Sequence, residues 1–159
     1  MAFQKEVHTT QALGQPGEFY DATARRATAY RFDALDGAKP AIGKVFTFDA
    51  SGRPVLGGTG PFAGIMIHPK ARARLGLDPI LTLPSGSNAE LADSGRVIVS
   101  TTAVATPGSG VQYDTATGDI AGNAPSSPAA GKAAIPGATF ILYGAAAGDL
   151  AVVQLNPSN

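Results

Sequence analysis

Residues 57–69 of the sequence, Gly-Gly-Thr-Gly-Pro-Phe-Ala-Gly-Ile-Met-Ile-His-Pro, constrain the fold more than any other stretch. Ala63, Ile65 and Ile67 fall on one face at period two, and Gly64, Met66 and His68 on the other. Both faces are small or apolar, so the stretch predicts a strand covered on both sides. Gly57, Gly58 and Gly60 permit left-handed turns before it, and Pro69 is expected to end it. The strand carries one ionisable group, the imidazole of His68.

Other short apolar runs recur every 8–15 residues or so, separated by turn signals, and no long helical period interrupts them. Thr28, Tyr30 and Phe32 alternate with polar or small neighbours. In 44–49, Phe46 and Phe48 are expected to face inward, with Thr47 and Asp49 outward. Ile80-Leu81-Thr82-Leu83 reads as a strand between two prolines. Residues 90–101 read as strand, tight turn at Asp93-Ser94-Gly95, and strand. Val111–Asp114 and Ile120-Ala121 flank a turn at 115–118. Residues 122–134 read as a small-residue loop, and 138–143 and 150–155 as closing strands joined by 145–148. The spacing predicts an all-β fold, an antiparallel sandwich or barrel (jelly-roll-like), with an extended N-terminal arm and long loops. Residues 1–26, weakly periodic, form the arm, and 27–159 the β-rich body.

Composition limits the core. Of the apolar residues 29 are alanine and none is tryptophan, so large side chains are scarce. Lys+Arg and Asp+Glu balance at 12 each, and charged residues make up 15%. A neutral, weakly charged surface favours association, and no basic excess supports nucleic-acid binding. Without cysteine there is no disulfide, thiolate metal site or Cys nucleophile. The polar N-terminus lacks the apolar segment of a signal peptide, and no apolar run reaches membrane-spanning length. The expectation is a soluble chain made in the cytoplasm, with no membrane partner.

Catalytic groups do not converge in the sequence. His8 and His68 are far apart and lack metal-ligand spacing. Asp33, Asp36, Asp93, Asp114 and Asp119 sit in turn contexts. No nucleophile elbow or phosphate loop is present: Gly57-Gly58-Thr59-Gly60 lacks the Gly-Lys-Ser/Thr ending. The reading is a non-enzyme without cofactor or metal. The one cationic run, 70–77, reads first as a solvated loop or a turn of helix; the sharper alternative is a peg into an acidic groove.

Several segments together resemble the structural cement, or head decoration, proteins of tailed bacteriophages. They are Met-Ala-Phe-Gln at the start, Pro16-Gly17-Glu18-Phe19, and Ile42-Gly43-Lys44-Val45-Phe46. Further along are Phe62-Ala63-Gly64-Ile65, Gly95-Arg96-Val97-Ile98-Val99, Tyr113-Asp114 with Thr117-Gly118, and Ile135-Pro136-Gly137-Ala138. The similarity is spread along the chain rather than held in one motif. It implies a β-rich protein, made in the host cytoplasm, that binds the outside of an icosahedral head. There it would bridge major capsid protein subunits and self-associate as a homodimer or homotrimer, with no catalytic residues. Candidate capsid or oligomer contacts are Phe3, Gln4, Phe19 and Tyr20 in the arm and Lys70, Arg72 and Arg74 in the cationic run. The competing reading is a virion-displayed carbohydrate- or receptor-binding β-module, which fold analogy alone supports.

Overall fold

The computed structural model describes residues 13–32, 41–68, 87–142 and 145–156. Among them are nine strands and no helix: β1 (Arg26–Phe32), β2 (Val45–Phe48), β3 (Pro54–Leu56), β4 (Phe62–Met66), β5 (Ser87–Ser100), β6 (Gly110–Asp114), β7 (Ile120–Asn123), β8 (Lys132–Ile141) and β9 (Leu150–Leu155). Every strand pairing is antiparallel, as the alternation and turn spacing require.

The 14-residue β5 organises the fold. Its first half pairs with β1 on one edge and, at Leu91 and Ala92, with β4 on the other. Its second half pairs with β9 from Gly95↔Leu155 to Ser100↔Leu150. The sheet order β3-β2-β4-β5-β9-β8-β6-β7 follows from this shared strand. The tight turn expected at Asp93-Ser94-Gly95 is absent. A hairpin there would need 90–92 to pair with 96–100, but each half is already held by other strands. The chain instead bends at a bulge: the register steps from Arg26↔Ser94 to Ala27↔Ala92, skipping Asp93, and Gly95 adopts φ +110°.

Beyond β9 the sheet curls back on itself. β7 meets the segment that follows β5 through a parallel bridge, Thr101↔Ile120. Thr102 N–H donates to Ile120 O at 2.9 Å, and Asn123 N–H donates to Val104 O at 3.1 Å. The loop expected at 122–134 ends early, because Ala133 and Ala134 pair with Tyr113 and Gln112. Alanine carries little strand signal, so the sequence hid this part of β8. Pro136 and Gly137 (φ +67°) are tolerated where the β6–β8 register is irregular.

Two apolar cores lie on opposite faces of the central strands. The larger contains Val97, Val99, Val111, Tyr113, Phe140 and Val153, together with Val45 and Ile65. The smaller contains Phe32, Ile42, Phe46, Met66, Ala89 and Leu91. Phe32 meets Phe46 edge to face at 5.4 Å, and Tyr30 meets Phe48 likewise at 5.8 Å. β4 is buried over Ala63–Met66 on both faces, as its composition predicted. Thr47 corrects the reading of β2. It is buried rather than outward, because its Oγ1 donates to Gly57 O at 2.6 Å, which satisfies the hydroxyl away from water.

The turn at Gly57-Gly58 locks the two lobes together. Gly58 N–H donates to Thr115 O at 2.7 Å, Val45 N–H to Gly118 O at 2.8 Å, and the Tyr113 hydroxyl to Gly58 O at 3.1 Å. Gly57 and Gly58 both have left-handed φ, +67° and +80°. A Cβ on Gly57 would stand 2.5 Å from Thr115 O, so only glycine fits. The expected strand 80–83, the cationic run 70–77 and Pro69 lie outside the described residues.

Candidate interaction surfaces

Residues 13–25 lie along β5 before the chain enters β1. Gly17 N–H donates to Ile98 O, and Gly17 O accepts from His68 N–H, both at 2.8 Å. Ile98 N–H donates to Glu18 O, and Tyr20 N–H to Arg96 O, also both at 2.8 Å. Phe19 forms an antiparallel bridge with Val97. This short strand occupies the β5 edge opposite β9, since Val97 also pairs with Val153. Gly14 sits against Ile98 on the outer face of the sheet: a Cβ there would lie 2.8 Å from Ile98 Cδ1.

Side chains fix the segment as well. Arg96 Nη1 donates to Asp21 Oδ2 at 2.7 Å and its Nε to Gln154 Oε1 at 2.8 Å, so one guanidinium ties both neighbours to β5. The Thr23 hydroxyl, and then the Arg96 guanidinium, hold the Asp21 carboxyl below its ordinary pKa, against the raising effect of burial. The Arg25 guanidinium lies 5.0 Å over the Phe19 ring. Arg26 Nε pairs with Asp93 at 2.8 Å next to the bulge.

Of the residues singled out from sequence, the structure brings Phe19 and Tyr20 together on this edge. Phe19 is half-buried against the larger core. Tyr20 is 38% exposed and among the few large apolar side chains open to solvent in the described residues. Phe3, Gln4, Lys70, Arg72 and Arg74 lie outside the described residues. The described residues break off at Phe32 and His68 and resume at Ala41 and Ser87. These points are neighbours: Phe32 pairs with Ser87, packs in one core with Ala41, and Ile67 N–H donates to Glu90 O at 3.0 Å.

Sequence reasoning missed the Asp21–Arg96–Gln154 bridge. Its members are far apart in sequence and belong to no motif; only the pairing on both edges of β5 brings them together. His68 is half-buried at the exit of β4, where its backbone holds Gly17. Among the described residues no group of three or more His, Cys, Asp or Glu side chains could hold a metal ion. Burial pushes the Tyr113 phenol above its usual pKa, and its hydroxyl is bonded to Gly58 O. These features describe a braced surface with a docked terminal segment.

Comparison with known proteins decides what such a body is. Residues 3–156 match the family described as structural cement protein (E217 gp24/Pam3 gp6). The chain belongs to the phage structural cement protein family. No curated protein matches it. Among solved structures it is similar to a chain from "The capsid of Myoviridae Phage XM1", at 19% identity and a TM-score of 0.63, over 98% of both chains. At that identity the likeness is one of fold, and it covers the whole architecture rather than one lobe. The family expected from segments along the sequence is therefore the family found. Its role is structural, in the cementing of a phage capsid.

Proposed function

We propose that the chain binds the outer surface of an icosahedral phage head, bridges neighbouring major capsid protein subunits, and performs no catalysis. The observation that carries this reading is the family match over residues 3–156. The physical character of the body supports it. Two cores share β5, so the body is stiff, and the surface has no net charge. Cement needs such rigidity together with interfaces that each bury on the order of 1,000 Å² or more. Repetition over a shell turns modest contacts into strong retention.

In this reading the capsid and self contacts include Phe3, Gln4, Phe19, Tyr20, Lys70, Arg72 and Arg74. Phe19 and Tyr20 offer an aromatic step beside an already paired strand, suited to a partner's extended segment. The chain self-associates as a small homo-oligomer on the head, takes no cofactor, and is made in the host cytoplasm before joining the virion.

The test is addition of purified protein to undecorated heads, followed by sedimentation. Binding saturating at a fixed ratio to coat protein is expected. A truncation lacking residues 2–12 spares the segment bonded to β5 and should stay folded while binding less. Saturable binding to heads that is absent would overturn the proposal.

A further inference from the structure

Residues 13–25 carry much of their own bonding. Gln15 N–H donates to Glu18 Oε2 at 3.0 Å, and Glu18 N–H donates back to Gln15 O at 3.1 Å. Thr23 N–H donates to Asp21 Oδ1 at 3.1 Å, and Arg25 covers the Phe19 ring. These contacts stay intact if the segment moves as a piece. Its hold on the body is narrower. Among the described residues, Phe19 is the one large side chain of the segment packed against a core, and it is half-buried. The remaining hold is a row of backbone bonds to Arg96, Ile98 and His68, with Pro16 seated beside Gly43 and Gly17 against Ile42. The Asp21–Arg96 ion pair closes the row. Its side chains are 27% and 37% exposed, so it adds little.

The segment lies in line with β1 on one edge of β5. Tyr20 is bonded to Arg96, and Arg26 stands opposite Ser94. Five residues, 21–25, are therefore set against Gly95 alone. That surplus is slack: β1 can keep its register while 13–20 leaves the edge. The segment also covers something. Ile98 is 2% exposed, yet it belongs to neither of the two cores. Its side chain lies on the sheet face opposite Val97 and Val99, where Gly14 is pressed close to its Cδ1.

We infer that residues 13–20 are a strap that lifts from β5 as one unit, hinged at 21–25, while both cores stay folded. Lifting it bares Ile98 and the backbone groups of Arg96 and Ile98. Few buried apolar contacts break, and the freed backbone groups at this edge pass to water, so the opening lies well below global unfolding in free energy. The device belongs to the free protein and does not depend on the capsid reading above.

The test is residue-resolved amide hydrogen exchange on the full-length chain. β5 supplies its own control. Ile98 N–H points to the strap, so by alternation Val99 N–H points to β9, opposite Ala151. The amides bonded across the strap, those of Gly17, Tyr20, His68 and Ile98, should exchange about 100-fold or more faster than those of Val99 and Ala151. Asp21→Asn should speed the first group by about two- to five-fold, the size of an exposed ion pair, and leave the second unchanged. A reversible lock gives an independent reading. Phe19 and Val97 form a non-hydrogen-bonded pair, with Cα atoms about 4.5 Å apart, within disulfide reach. The chain has no cysteine of its own. In the Phe19→Cys/Val97→Cys variant, oxidation should slow Ile98 to the rate of Val99, and reduction should restore the difference. Equal protection of Ile98 and Val99 in the wild type overturns the strap. So does an Ile98 amide that stays fast in the oxidised variant, or an Asp21→Asn effect that reaches Val99 and Ala151.

Discussion

Thr47 and Gly60 show how single positions hold the β2–β4 region. Thr47 is fully buried with its hydroxyl on Gly57 O at 2.6 Å. Thr47→Val keeps the shape, removes the donor, and should cost about 1–2 kcal/mol. Urea unfolding should show a lower midpoint at unchanged slope. Gly60 is excluded from substitution by space: an added Cβ would lie 1.9 Å from Phe48 O. Gly60→Ala must push backbone apart and should cost about 1–3 kcal/mol or more, read as a fall in melting temperature. The sequence made glycine at 57–60 conspicuous as a hinge, but not the reason each one is there. Gly57 is pressed against the Thr115 carbonyl, a contact between residues 58 positions apart that no local pattern encodes.

β4 and β9 were legible as elements because they are apolar on both faces, and burial on both faces is what the structure gives them. β5 was misread as a hairpin. Asp-Ser-Gly carries turn chemistry, and a bulge uses the same residues as a turn. Only the flanking strands decide between the two. The segment before β1 was legible by its lack of periodicity, yet 17–20 add a strand to β5 through backbone bonds, with Phe19 against the larger core. Backbone pairing needs no side-chain pattern, so it left no trace in the sequence. Asp21 gives this segment a pH dependence. Its folded pKa is depressed, so its contribution to stability is complete above the unfolded value and is lost as pH falls through the folded one. Asp21→Asn should therefore flatten the loss of stability below about pH 4. The same substitution should speed amide exchange at Gly17 and Tyr20 at neutral pH, measured by hydrogen exchange.

The two cores behave as one unit because β5 and β4 contribute to both and the turn at Gly57-Gly58 closes the far side. Phe46 anchors the smaller core and Phe140 the larger, and both are fully buried. Phe46→Ala and Phe140→Ala should each cost about 3–5 kcal/mol. Tryptophan is absent, so circular dichroism and tyrosine fluorescence are the probes. Both variants should lose their structure in a single coincident transition rather than one lobe melting first.

Arg96 reaches Asp21 on one side of β5 and Gln154 on the other. Residues 17–20 and β9 thus flank the same short stretch of one strand, about 10 Å apart by strand spacing. The strands nearest the two ends of the described chain are thus next-but-one neighbours that run parallel, each antiparallel to β5. A gene that joins residue 156 to residue 13 through a linker long enough to run back along β5, and reopens at the solvent-facing loop 124–131, should encode the same body.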